Sequence, residues 1–173
     1  MTLETAVSKL KVTCKKDTNK GEVTGPATAL VTIAFTGCKS TAVPGALCNS
    51  PNGLPGEIVT ERLLGVLGYT KLEPVKEVGL DLSTPTGGPM IVFFCGALKG
   101  EVFGSVIGSI APLNKARKKL TLSFAQAAGH QAITNFLGGP MDVPKTTFGG
   151  PLEESGLSST DKITLAAPVV IIA

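Results

Sequence analysis

The feature that most constrains this chain is a two-residue hydrophobic period, repeated in short runs that Gly and Pro interrupt. In Ser8-Lys9-Leu10-Lys11-Val12-Thr13-Cys14-Lys15, apolar Leu10, Val12 and Cys14 alternate with Lys9, Lys11, Thr13 and Lys15. Side chains of an extended chain point to opposite faces in turn, so this pattern describes a half-buried strand with Cys14 facing the core. A turn around residues 17–21 leads into residues 29–35, where Val31, Ile33 and Phe35 share a face. Further strands are expected at 76–82, 90–95, 102–110, 120–124 and 146–148, with a last pair at 162–166 and 169–172. Pro85-Thr86-Gly87-Gly88-Pro89 and Lys99-Gly100 supply turn signals between them. Residues 90–95 are apolar on both faces, the mark of a central strand.

Residues 56–69 are the one stretch with a competing period, because Val59, Leu63, Val66 and Leu67 would also line a helix face. Gly65 and Gly68 decide it. Each costs a helix interior about 1 kcal/mol relative to Ala, whereas a bent strand or bulge tolerates glycine. Two strands or one bent strand are therefore expected, and the place for a helical turn is 125–133. With 21 Gly, 12 Pro, no Trp and one Tyr, the composition suits short strands and tight turns. The expected fold is all-β, a sandwich or closed barrel of about ten short antiparallel strands with at most one short helix. Its 173 residues fit a single β domain, 1–173.

Four cysteines, Cys14, Cys38, Cys48 and Cys95, form no CxxC motif and accompany a single histidine, so zinc ligands are scarce. Four cysteines allow three disulfide connectivities. The segment between Cys38 and Cys48 holds Pro44, Gly45 and other small residues that fold back easily. The preferred set is therefore Cys38–Cys48 with Cys14–Cys95, at about 2–4 kcal/mol per bridge. Buried free thiols in a reducing compartment are the alternative reading.

The net charge is +3. The densest basic run, Lys115-Ala116-Arg117-Lys118-Lys119, has no aromatic residue to stack on a base, which argues against nucleic acid as a partner. Like the cluster Lys9, Lys11, Lys15 and Lys16, it reads as a solvated face, and either could meet a cell wall or an acidic glycan. No apolar stretch reaches the roughly 18–20 residues of a membrane span. Met1-Thr2-Leu3-Glu4-Thr5 does not read as a signal peptide, so an exported protein would have lost its signal before this numbering begins. Val169, Val170, Ile171 and Ile172 form an uncharged β-prone run suited to a buried last strand or to self-association by strand exchange.

Motifs for chemistry are sparse. His130, in Gly129-His130-Gln131, reads as structural or solvent-facing, and no Gly-x-Ser-x-Gly elbow offers a nucleophile. Glu57, Glu61, Asp81 and Glu101 are the acids a carboxylate-based hydrolase would need, yet most alternate with apolar residues as outward-facing strand positions do. Glu153-Glu154 could hold a cation weakly but lacks the spaced acids of a calcium loop. Gly37-Cys38-Lys39-Ser40 lacks the frame of a phosphate loop, and Asn49-Ser50-Pro51 is no glycosylation sequon. No catalytic residue, metal or cofactor is assigned.

Leu10-x-Val12-x-Cys14, Gly25-Pro26, Phe35-Thr36-Gly37-Cys38, Gly56-Glu57-Ile58-Val59-Thr60, Leu64-Gly65-x-Leu67-Gly68, Val78-Gly79-Leu80, Phe94-Cys95-Gly96 and Gly104-Ser105-Val106-Ile107-Gly108 follow one another along residues 10–139. In this order they resemble uncharacterised secreted all-β proteins of high-GC Gram-positive soil bacteria. The resemblance implies export and a scaffold, and it transfers no catalytic or binding residue. The expected function is a non-catalytic extracellular or cell-surface module that binds a surface glycan, a protein or a small hydrophobic ligand. A structural subunit of a surface layer or fibre and a carboxylate-based hydrolase are the alternatives.

Overall fold

The structure, a computed structural model, describes all residues from Met1 to Ala173 and contains no helix. Its strands are β1 (Thr2–Thr5), β2 (Lys11–Thr13), β3 (Lys16–Val23), β4 (Thr28–Thr36), β5 (Lys39–Ser40), β6 (Cys48–Asn49), β7 (Glu57–Val59), β8 (Leu63–Lys71) and β9 (Glu77–Ser83). They continue as β10 (Ile91–Cys95), β11 (Leu98–Phe103), β12 (Ser105–Ala111), β13 (Arg117–Phe124), β14 (Gln126–Ala127), β15 (His130–Gln131), β16 (Lys145–Thr147) and β17 (Glu153–Val169). All-β is thus observed, with seventeen strands in place of about ten.

Fifteen strands belong to one antiparallel sheet, and β14–β15 is a separate hairpin. A path of seven strands, β3-β4-β8-β9-β12-β13-β17, forms its larger part. The long β17 joins this part to the rest. Its first residues pair with β16, which leads on to β11, β10 and β6, while residues 155–158 pair with β1, and β1 pairs in turn with β2 and β2 with β5. The seven-strand path is not a closed barrel, because no ladder joins β3 to β17. Along this unpaired line the inward carboxylates Asp17 and Asp161 face each other, and neighbouring like charges oppose strand pairing. Lys16, Lys20 and Glu22 also charge β3, a common way to blunt an edge strand.

Several local expectations change for identifiable reasons. Residues 17–21, expected as a turn, lie within β3 and pair one for one with β4, from Lys16 opposite Thr36 to Val23 opposite Ala29. Their alternation is hidden because the inward positions include Asp17 and Asn19. Residues 102–110 divide into β11 and β12 at Gly104, whose φ of +86° a residue with a Cβ seldom adopts. The stretch 125–133 is the β14–β15 hairpin, turned by Ala128 (φ 52°) and Gly129 (φ 86°), both positive as in the tight turns that suit strand twist. Residues 162–166 and 169–172 do not form a hairpin; β17 runs unbroken to Val169. Residues 56–69 do form two strands, β7 and β8, as the glycines indicated.

The disulfides are Cys14–Cys38 and Cys48–Cys95, not Cys38–Cys48 and Cys14–Cys95. Register decides the pairing. Thr13 stands opposite Lys39 in the β2–β5 ladder, which carries Cys14 to Cys38 with 4.0 Å between Cα atoms. Cys95 stands opposite Cys48 in the β10–β6 ladder, at 4.2 Å. Cys38 and Cys48 are neighbours only through the backbone, the Cys48 N–H donating to the Cys38 carbonyl at 3.0 Å. Facing strand residues bring their side chains together, and here they outrank closeness in sequence.

All four cysteines lie in a continuous buried cluster with Val12, Ile33, Phe35, Ile58, Leu82 and Phe93. Phe93 lies over its cross-strand partner Gly100 and meets Phe148 edge to face, with ring centroids 5.7 Å apart. An alanine Cβ at position 100 would collide with the Phe93 ring. A glycine within a strand thus serves the packing of an aromatic partner.

Candidate functional site

The curled seven-strand path encloses a cavity of about 840 Å³, and 20 of its 30 lining residues are hydrophobic. Strand parity builds this wall. Leu67 opposes Leu80, Leu80 opposes Gly108, Ile110 opposes Leu122, and Leu120 opposes Ile163, so one face of each successive strand is turned inward. Val31 of β4 and Leu165 of β17 continue the lining.

Successive strands of this path are antiparallel, so the β3–β4, β8–β9 and β12–β13 connections and the end of β17 lie at one end of it. The cavity reaches that end, where Val23, Gly25, Pro26, Tyr69, Val170 and Ile172 border it. At the other end Ile33, Leu82 and Asp161 line both the cavity and a smaller void of about 40 Å³. They form its floor.

Asp161 is the exception in this apolar lining. It is 97% buried, as its relative exposure of 3% shows, and its Oδ1 accepts a hydrogen bond from the Ser159 hydroxyl at 2.7 Å. Burial raises its pKa to about 6; the Ser159 hydroxyl opposes the rise, and the Asp17 carboxylate facing it from β3 adds to it. The amino terminus also favours its ionised form. Sequence reading passed over this residue. Its signal was the alternation Asp161-x-Ile163-x-Leu165, which puts a carboxylate on the buried face of a strand.

None of the acids singled out from sequence lines the cavity. Glu57 accepts the Leu54 N–H at 3.2 Å, Glu61 is exposed beyond β7, and Glu101 pairs with Lys99 at 2.9 Å. Asp81 projects from the opposite face of β9, beside Ser105 and Asp142. Burial pushes Asp81 up to about 6; the Ser105 hydroxyl and the Leu82 N–H oppose the rise, and Asp142 strengthens it.

The remaining candidates serve the scaffold. Glu153 accepts the N–H groups of Val7 and Ser8 at 2.7 and 2.9 Å and the Ser8 hydroxyl, which clasps the β1–β2 turn. Exposed His130 meets the Glu154 carboxylate at 2.9 Å through Nδ1. Val169 ends β17 opposite Arg117, and buried Ile171 accepts the Asn114 N–H at 2.8 Å, while the Asn114 side chain accepts the Ala173 N–H at 3.0 Å. The terminal run is thus docked within its own chain, with Val170 and Ile172 exposed. No helix is long and apolar enough to cross a membrane.

Fold and site together define a class: an all-β chain with two disulfides and an open apolar cavity. Disulfides of this kind are typical of extracellular proteins. The chain matches no known family model, no curated protein and no solved structure.

Proposed function

We propose that the protein is an exported, non-catalytic binding domain whose cavity takes a small apolar or amphiphilic molecule. The observation that carries this reading is the cavity itself, about 840 Å³ and walled mainly by aliphatic side chains. That size falls within the roughly 300–1,000 Å³ typical of sites that engulf a small ligand. Apolar walls favour an apolar guest because both surfaces leave water, at roughly 25 cal/mol per Å² removed. Of the three partners expected from sequence, a small hydrophobic ligand suits such a wall best. Two disulfides support a place outside the cell.

The test is titration of the oxidised chain with the neutral fluorescent probe N-phenyl-1-naphthylamine, followed by competition with long-chain alcohols and fatty acids. One saturable site is expected, lost in Val31→Trp and Leu165→Trp variants that keep the native circular dichroism spectrum. Non-saturable binding, or binding unchanged in both filled variants, overturns the reading.

A further inference from the structure

We propose that the open end of the cavity docks on an anionic lipid surface. Five of the large apolar side chains exposed to solvent gather there on three separate segments: Val23 (61% exposed) at the end of β3, Leu72 (48%) and Val75 (67%) in the β8–β9 hairpin, and Val170 (50%) and Ile172 (75%) after β17. Antiparallel order brings these segments to one end, although more than a hundred residues separate the first from the last.

The same end carries exposed Lys115, Arg117, Lys118 and Lys119 in and beside the β12–β13 turn. None of the four forms an ion pair. Elsewhere at this end, Lys71 and Lys76 share the β8–β9 hairpin with Glu73 and Glu77, Lys71 meeting Glu77 at 3.5 Å, and Glu22 is paired with Arg62, while exposed Lys20 on β3 is a further cation without an ion pair. The only cluster of unpaired charge there is therefore the group of four cations.

Aliphatic tips beside uncompensated cations match an interface that is negative at its surface and apolar just beneath it. Lys and Arg near such a surface contribute about 1 kcal/mol each, and buried apolar area adds to them. An acidic glycan would engage the four cations and leave the five apolar side chains in water. A protein partner would need its own complementary apolar patch, whereas a bilayer offers one everywhere. Docking this way also turns the mouth of the cavity toward the lipid. Docking through the rim is independent of what occupies the cavity.

The test is co-sedimentation of the oxidised full chain with phosphatidylcholine vesicles, with and without roughly one-third phosphatidylglycerol. Binding is expected only to the anionic vesicles and should weaken with salt. Lys118→Ala and Lys119→Ala should each weaken it about fivefold. Val75→Ser with Ile172→Ser should weaken it severalfold without moving the Tm, since both side chains are exposed. A control triple variant, Lys9→Ala, Lys15→Ala and Lys16→Ala, lies outside this end and should leave binding within about twofold. Equal sedimentation with and without anionic lipid overturns the proposal. So does an equal loss in the control, or capture by heparin that is insensitive to Val75 and Ile172 in a protein that ignores vesicles.

Discussion

Asp161 on β17 faces Asp17 on β3 across the one line of the curled path that no ladder closes. Burial and the facing Asp17 carboxylate both favour the protonated form of Asp161, because an ionised carboxylate in an apolar interior lacks the solvation it has in water and like charges repel. The line that leaves the path open therefore also makes the fold sensitive to pH.

Asp81 and Asp161 both have folded-state pKa values of about 6, against 3.8 for an ordinary aspartate. The folded state then binds their protons more tightly than the unfolded chain does. Their contribution to stability is complete below about pH 4 and is lost as pH rises through about 6. Glu153 works the other way: despite the cost of its desolvation, the Ser8 hydroxyl and the Ser8 and Val7 N–H groups hold it below 4.5, so its contribution fades on acidification. Thermal unfolding should show a Tm that rises from pH 7 toward a maximum near pH 5 and then falls. Asp161→Asn should raise the Tm at pH 7 and flatten that rise; a Tm profile identical to the parent's would refute the assignment.

Peptide mapping of the oxidised chain should recover Cys14 linked to Cys38 and Cys48 linked to Cys95. An intact mass short by about four hydrogens accompanies both bridges. In the loop-entropy account, removing the bridge that spans 24 residues costs about 3.5 kcal/mol and the one that spans 47 about 4 kcal/mol. Paired Cys→Ser variants compared by urea denaturation give both values, and an inverted order contradicts the loop argument.

Gly100→Ala forces the Phe93 ring away from its place and should destabilise the protein by about 1–3 kcal/mol. Phe93→Leu alone also costs stability but makes room at position 100. The double variant should therefore lose less than the sum of the two single variants, a coupling of at least about 0.5 kcal/mol. Simple additivity would mean that the two residues do not share this contact.

Glu153→Ala removes the acceptor that clasps the β1–β2 turn. Hydrogen exchange should quicken selectively at the Val7 and Ser8 amides, which donate to Glu153, and leave β13 protected. Unchanged exchange at these two amides would show that the turn holds without the clasp.

Legibility followed burial pattern. Strands with one cleanly apolar face, such as β4 and β9, could be read from alternation alone, and β10 from being apolar on both faces. So could the extended structure at 56–69, read as two strands or one bent strand, because Gly65 and Gly68 weigh against a helix there. β3 could not, because Asp17 and Asn19 occupy inward positions and imitate a turn. The floor of the cavity was hidden for the same reason: its polar member, Asp161, was passed over while attention fell on Glu57, Glu61, Asp81 and Glu101, none of which reaches the cavity.

The sequence by itself determined that the chain is all-β, that Cys14 turns inward, and that aliphatic residues supply one face of strand after strand. Those facts follow from side-chain direction, which alternates residue by residue and needs no knowledge of distant partners. Only the tertiary structure decided that Cys14 meets Cys38, that β3 and β17 stay unjoined, and that hairpins far apart in sequence surround one apolar cavity. Each depends on which strands pair and in what register, a choice made by the packing of the whole sheet.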